Sequence, residues 1–302
     1  LNIYPINYNP IKNTIKVITE IKVSISFNNY DITSVIEEKV KYYSPVNNSS
    51  INTINNKAFK IIPPIANQYP LKYVIVADSM FKSTLQDFVD WKTRQGFKVI
   101  EAYTQNSAVG NSTTSIKSYL QGLYNNATVN NPAPNYVLLV GDIAQMPSFN
   151  SQGYGNHVTD LYFCEYTNDI LPEVQYGRFP AVDTSELRIM INKTLMYEET
   201  SMPSTTYLGN ALLVAGHDYT YAATHGNGQI NYASTNYFNS SNNISANVHL
   251  HPNSSSNDVL IRAQANNSGF INYTAHGNYN GWSNPSFTNS HVPNMVNESK
   301  YP

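Results

Sequence analysis

Charge is what this 302-residue chain has least of: Asp, Glu, Lys and Arg make up 13% of it, about half the share in an ordinary globular protein. With 18 basic against 20 acidic residues, the formal net charge is −2. There is no basic excess to neutralise phosphates, which argues against a nucleic-acid partner. Cysteine is nearly absent too. Cys164 stands alone, so no intramolecular disulfide can form. No run of about 18 apolar residues occurs, so no membrane-spanning helix is expected. The first ten residues, LNIYPINYNP, have neither the basic n-region nor the apolar h-region of a signal peptide. Neutral polar side chains take the place of charge, with 42 Asn and 24 Tyr. The length suits one large or two modest domains.

Residues 1 to 60 read as β-structure of their own. Thr14 to Phe27 (TIKVITEIKVSISF) is rich in Ile, Val, Thr and Phe with Lys16, Glu20 and Lys22 spaced through it, the pattern of a half-buried strand. The Asn-rich stretch 44–57 reads as a loop. Pro63-Pro64 disfavours helix beside it, and a boundary is expected there.

From residue 71 strands and helices alternate. LKYVIVAD (71–78), FKVIEAYT (97–104), NYVLLVGD (135–142), GNALLVAGHD (209–218), SANVHLHP (245–252) and GFINYTAHG (269–277) are short apolar runs of the kind buried in a parallel sheet. Helices are expected from Phe81 to Gly96, over 115–124, from Asp183 to about Glu199, and near 228–238 and 256–266. The capping pair Asp183 and Glu186 marks one start. Such alternation predicts an α/β fold with a mainly parallel sheet flanked by helices.

Asp78, Asp142, Asp218 and His276 each close one of these strands, and in open α/β sheets that edge is where ligands bind. For Asp78 and Asp142 the plainer reading is a loop start that caps the next helix. His276 is different. It lies between Ala275 and Gly277 directly after an apolar run, and a glycine there lets backbone approach a substrate and offers an N–H to an oxyanion.

INYTAHGNYNGWSNPSFT (271–288) resembles the histidine motif of the gingipain family of cysteine peptidases (peptidase family C25, clan CD, caspase-like fold). YVLLVGD (136–142), TDLYF (159–163), PEVQYGRFPA (172–181) and KTLMYEETSMPSTTYLGNALLVAG (193–216) follow that family's order and spacing. The last stretch and the histidine motif look nearer the Lys-specific members than the Arg-specific ones. The resemblance covers about 71–302, while YPINYNP and the strand after it (4–27) are similar to the end of the family's pro-region. It implies two side-by-side catalytic subdomains, 63–202 and 203–302, behind a β-rich pro-segment and linker, 1–62.

The resemblance further implies acyl transfer by a Cys/His pair. His276 would manage the proton, Asp218 would orient and polarise it, and Gly277 would donate to the oxyanion. His217 is expected to face the other way with a structural role. The family's nucleophile belongs at the end of the strand that would follow Pro302, so these residues carry the base and its partner without a nucleophile. Cys164, far upstream in LYFCEY, reads as a buried small hydrophobe. A processed fragment whose C-terminal partner supplies the cysteine, a truncated product, or a relic that cleaves nothing would each account for this. An apolar sheet edge left unpaired favours the first two.

The Arg-specific enzymes take their S1 carboxylate from the stretch after the orienting acid, but 219–233 contains no Asp or Glu. The Lys-specific enzymes place that acid beyond the nucleophile. Trp282 would wall the S1 pocket or pack in the core. His249 and His251 alternate on an expected strand, which is ligand-compatible spacing without a third ligand. The family binds structural calcium, for which Asp160, Asp169 and Glu173 are the acids in a suitable loop region. No cofactor is required for catalysis. The resemblance also implies export to the surface or medium of a Gram-negative bacterium and protein or peptide substrates. A sortase-like transpeptidase and a non-catalytic binding protein with the same fold are the competing readings. Transfer to an added amine would mark the first, and a residue other than Cys after the next strand the second.

Overall fold

The structure, a computed structural model, describes residues 6–9, 14–17, 31–44, 69–151 and 157–301. It divides into two compact units, one of residues 1–69 with 127–133 and one of 70–126 with 134–302.

In the first unit β1 (Ile6–Asn9) pairs antiparallel with β2 (Thr14–Val17), Ile6 opposite Val17. The rest of the expected strand to Phe27, residues 45–57 of the expected loop, and Pro63-Pro64 lie outside the described residues. Against the all-β reading of this region, Ile32–Lys41 is a helix, α1. Its end signals outweigh its β-branched content. The Asp31 carboxylate accepts from the backbone N–H of Thr33 (2.9 Å) and Ser34 (3.4 Å), satisfying donors the first turn leaves open. Lys39 and Lys41 occupy the last turn, where the helix dipole favours cations.

The second unit is built on two all-parallel sheets. The first has the order β4-β3-β5-β8, from β3 (Lys72–Ala77), β4 (Lys98–Tyr103), β5 (Tyr136–Val140) and β8 (Gln175–Phe179). A small antiparallel pair, β6 (Phe149–Asn150) and β7 (Val158–Thr159), lies between β5 and β8 in sequence. Side chains alternate across a strand, and both faces of this sheet are apolar. Val74, Val76, Val137 and Leu139 pack with Ile116 and Leu120 of α3 (Thr113–Asn125) on one face. Ile75, Ala77, Leu138 and Val140 pack on the other with Phe88 of α2 (Gln86–Arg94) and with Leu187 and Ile191 of α4 (Thr184–Glu198). This is why the strands read as continuous apolar runs.

The helix expected from Phe81 begins later, at Gln86. Phe81 ends a short 3-10 turn that opens on Asp78, whose carboxylate accepts from Met80 N–H. Phe81 and Leu85 are still fully buried, so the apolar spacing reported burial correctly and the helix start wrongly. Asp183 caps α4 as expected, accepting from the N–H of Ser185 and Glu186 at 2.8 and 2.9 Å.

The motif stretches 159–163 and 172–181 are joined by Arg178. All five of its N–H donors are used: two on Asp160 (2.8 and 2.7 Å) and three on the carbonyls of Gly141, Met146 and Pro147. The guanidinium fork suits such a bidentate pair, which a lysine could not reproduce.

The second sheet has the order β10-β9-β11, from β9 (Asn210–Ala215), β10 (Ser245–His249) and β11 (Phe270–Thr274). Ala211, Leu213 and Ala215 face Ile230 of α5 (Asn227–Asn236), while Leu212 and Val214 face Ile261 and Ala265 of α6 (Asp258–Ala265). Three two-residue strands follow β11: β12 (Gly277–Asn278), β13 (Gly281–Trp282) and β14 (Phe287–Thr288), paired antiparallel in that order.

Candidate active site

β9 and β11 are parallel neighbours with Ala215 opposite Thr274, so both chains leave the sheet at the same edge. Gly216 N–H extends the ladder to Thr274 O at 3.1 Å. Just beyond it, Asp218 follows β9 and His276 follows β11, and their side chains meet, His276 Nε2 lying 2.5 Å from Asp218 Oδ2. The other carboxylate oxygen, Oδ1, accepts from the backbone N–H of Thr220 (2.8 Å) and Tyr221 (2.5 Å). One oxygen is therefore held by the turn while the other faces the imidazole. The backbone donors of Tyr221 and Thr220, and then the His276 hydrogen bond, lower the Asp218 carboxyl to about 2, keeping it an anion at any neutral pH. An anion at Nε2 fixes the proton there and leaves the Nδ1 lone pair as the basic position. The Asp218 side chain is 21% exposed and that of His276 72%, so the orienting group is shielded and the imidazole is open to a reactant.

Gly277 opens β12 opposite Trp282. Because Ser283 N–H donates to His276 O (3.0 Å), His276 and Ser283 form a hydrogen-bonded pair. In an antiparallel ladder such pairs alternate with non-bonded ones. Gly277 therefore sits at a non-bonded position, its N–H directed away from β13.

Among the other residues singled out from the sequence, Trp282 is the cross-strand partner of Gly277. Trp282 stacks on the Tyr273 ring (centroids 4.3 Å, planes 5° apart) and meets Phe287 edge-on at 5.1 Å, among the side chains that cover Leu212 and Val214. Those are packing contacts. His217 turns its ring onto Tyr219 and His251, away from the Asp218–His276 contact. His249 and His251 do not act together, because β10 ends at His249. His249 Nε2 meets Gln264 Oε1 at 2.6 Å while His251 lies beyond the strand beside His217.

Asp160, Asp169 and Glu173 each accept hydrogen bonds from within the protein. Asp160 is engaged by Arg178, Asp169 accepts from the N–H of Leu171, and Glu173 accepts from the N–H of Tyr166 and the hydroxyl of Thr167. Among the described residues no group of three or more His, Cys, Asp or Glu is placed to hold a metal ion. Asp169 Oδ1 is held by its own turn, while Asp160 and Glu173 each serve donors with both carboxylate oxygens.

Cys164 is fully buried against the first sheet, in the cluster of Val74, Leu139 and Phe163. Burial pushes its thiol up to about 12, and a protonated thiol is not a nucleophile. The functional arrangement that sequence reading missed is the hydroxyl of Tyr273, which reaches the backbone of His276 itself (2.7 Å). Its sole signal was a tyrosine within the histidine motif, three residues before His276, with nothing to say what it touched.

Comparison with known proteins bears on the family and the fold. The model of peptidase family C25 matches residues 66–302, and that of the C25 propeptide matches residues 1–60. Lys-gingipain of Porphyromonas gingivalis is 31% identical over 301 residues, covering all of this chain and 17% of the relative. Gingipain R2 of the same species is 25% identical over 325 residues, again covering all of this chain and 41% of the relative. The chain thus spans well under half the length of these relatives, and it shares more identity with the Lys-gingipain. Among solved structures, one described as a protease superposes with a TM-score of 0.70 at 31% identity, over 77% of this chain and 51% of that one. The Arg-specific cysteine proteinase gingipain R gives 0.65 at 22% identity, over 80% and 55%, which bears on the fold alone. With the family's model matched over more than three-quarters of its length, and with the caspase-like α/β architecture expected from its motifs, the chain belongs to peptidase family C25.

Proposed function

We propose that this chain is the base-bearing part of an exported cysteine endopeptidase in pro-form. In this reading residues 1–62 are the end of a pro-segment with its linker, 63–202 one catalytic subdomain, and 203–302 the part of the second that carries His276. The single observation that carries the reading is the 2.5 Å contact between His276 Nε2 and Asp218 Oδ2 at the shared edge of two parallel strands. In this reading the nucleophile is the cysteine that the family places after the next strand, a role that Cys164, buried and protonated, does not fill.

His276 Nδ1 takes the proton of that thiol, and the thiolate sulfur bonds to the carbonyl carbon of the peptide. The carbonyl oxygen gains the negative charge and is held by N–H donors, of which Gly277 is one. The imidazolium then gives its proton to the departing amine as the C–N bond breaks. In a second cycle His276 deprotonates water, which releases the acyl group as a carboxylic acid and restores the thiol. Asp218 stays ionised throughout and stabilises the imidazolium.

The substrates are proteins or peptides. A P1 lysine fits the higher identity to Lys-gingipain and the absence of any acid in 219–233. Export to the surface or medium of a Gram-negative bacterium rests on the likeness to the Porphyromonas relatives. Among the described residues no helix is long and apolar enough to cross a membrane.

The test is expression of the protein through its next cysteine, followed by assay against a peptide library diverse at P1. Thiol-dependent hydrolysis favouring Lys is expected. No cleavage of any member refutes the peptidase reading, and transfer to an added amine in place of hydrolysis would make it a transpeptidase.

A further inference from the structure

The backbone that carries His276 is tied to the backbone that carries Asp218 through one hydroxyl. Tyr273 Oη lies 2.7 Å from His276 O and 3.1 Å from Asn284 O. Asn284 O in turn accepts from the N–H of His217 at 3.0 Å, and His217 is bonded directly to Asp218. The connection therefore runs from His276 O through the Tyr273 hydroxyl and Asn284 O to the peptide beside Asp218. Since Tyr273 has one proton to donate, the two carbonyls share it, and both lie on the chain that turns back over the end of β9.

Three further features hold the tyrosine in this place. Its ring stacks face to face on Trp282 at 4.3 Å. Just past the end of β9 is Gly216, where an added Cβ would fall 2.6 Å from Tyr273 Cε2, 2.8 Å from the Ala275 Cβ, and closer still to Asn284 O. Only a residue without a side chain lets the ring and that carbonyl come so near. Burial also raises the hydroxyl above the ordinary tyrosine value, so it remains a donor through the neutral range.

We infer that Tyr273 is a positioning residue for the His276–Asp218 pair, its hydroxyl setting the spacing between the two backbones so that the imidazole is held against the carboxylate. This rests on the peptidase reading of that pair. Tyr273 touches no reacting atom and acts through His276. Its neighbours supply partial substitutes, since Ser283 N–H also donates to His276 O. Removing the hydroxyl therefore loosens the site and leaves it formed. A displacement of a reacting group by about 1 Å costs on the order of 10²-fold, and a partial loosening costs less.

The experiment uses Tyr273→Phe, which keeps the ring and its Trp282 stack and removes only the oxygen, in the protein extended through its nucleophile. kcat per active site, titrated with a thiol-directed irreversible peptide, is expected to fall about tenfold with KM unchanged. In the His276→Ala background the same change is expected to alter the residual rate by less than about twofold, because groups acting as a unit are not additive. In proton NMR, the low-field signal of the His276–Asp218 hydrogen bond is expected to broaden or move upfield in Tyr273→Phe. An unmoved signal, an unchanged kcat per titrated site, or a full tenfold loss persisting without His276 would overturn the inference. Should the unmutated protein cleave nothing, the peptidase reading fails, and the NMR comparison still decides Tyr273.

Discussion

His276 Nε2 and Asp218 Oδ2 stand 2.5 Å apart although 58 positions separate them in the chain. Parallel pairing of β9 with β11 delivers both to one edge, and the register Ala215 to Thr274 fixes how far beyond the sheet each side chain must reach. The turn donors of Thr220 and Tyr221 then hold the carboxylate so that one oxygen is left for the imidazole. A shielded anion beside an open imidazole is the arrangement a proton-transfer pair requires.

Replacing His276 by Ala should lower kcat/KM of the protein extended through its nucleophile by about 10²–10⁴-fold. Asp218→Asn should cost a comparable factor, because an amide can hold the ring in the wrong tautomer and no longer stabilises the imidazolium. Steady-state kinetics on P1-Lys peptides check both. Near-wild-type rates in either variant would remove that residue from the mechanism.

Asp218 should also leave a signature in the pH dependence of stability. Its carboxyl titrates at about 2 in the folded protein, below the ~3.9 of an unfolded chain. Folding therefore favours the ionised form. The contribution is complete above ~3.9 and fades as pH falls toward the folded value. Melting temperatures of wild type and Asp218→Asn, measured from pH 7 down to 2, should differ by a constant amount to about pH 4.5 and converge below it. A gap that persists to pH 2 would contradict the assignment.

Cys164 should resist modification in the native protein. With its thiol pushed up to about 12 by burial, almost no thiolate is present at neutral pH. Mass spectrometry after iodoacetamide treatment at pH 7.5 should find Cys164 unlabelled until denaturant is added. In the extended protein, Cys164→Ala should leave kcat within about twofold of wild type. Rapid native labelling, or loss of activity in that variant, would reopen its role.

Arg178 should prove essential to the first sheet. Its five donors serve Asp160 and three carbonyls, with the two side chains only 13% and 19% exposed. Arg178→Ala strands the Asp160 charge and should destabilise by about 3–5 kcal/mol. Arg178→Lys should recover only part of this, since an ammonium cannot span the same acceptors. Urea titration of each variant measures the difference, and a midpoint shift near zero would refute it.

Gly216→Ala should disturb the site from the opposite side to Tyr273→Phe. The new methyl would lie 2.6 Å from the Tyr273 ring and 2.8 Å from the Ala275 Cβ, and it would press on a backbone carbonyl, Asn284 O. Backbone cannot yield as a flexible side chain can, so the 273–284 turn must move. A lower melting temperature together with reduced kcat is expected, and full activity would show that the turn is not tightly held.

Much of this was legible in the residues. The apolar runs at 72–77, 136–140 and 210–215 could be read as two-face-buried strands because a parallel sheet leaves no polar face on its central members. His276 stood out through its place after such a run and before a glycine. The helix Ile32–Lys41 was missed because its β-branched content masked an Asp31 cap, and the start of Gln86–Arg94 was misplaced because burial of Phe81 and Leu85 mimicked helical spacing. The partners of Asp160, Asp169 and Glu173 could not be read from the sequence, because Arg178, Leu171 and Thr167 meet them only through the fold and its turns.

The sparse charge and single cysteine were matters of sequence alone, as were the strand order along the chain, the histidine motif and the family it points to. Tertiary structure decided which polar groups are spent and which are free. It committed Asp160 to Arg178, sealed Cys164 in the core, and left the Asp218 carboxylate one oxygen for His276. It also carried the Tyr273 hydroxyl to the His276 backbone. The physical reason is that periodicity and composition depend on neighbours in the chain, whereas a hydrogen bond depends on atoms about 3 Å apart in space, and only folding sets that distance.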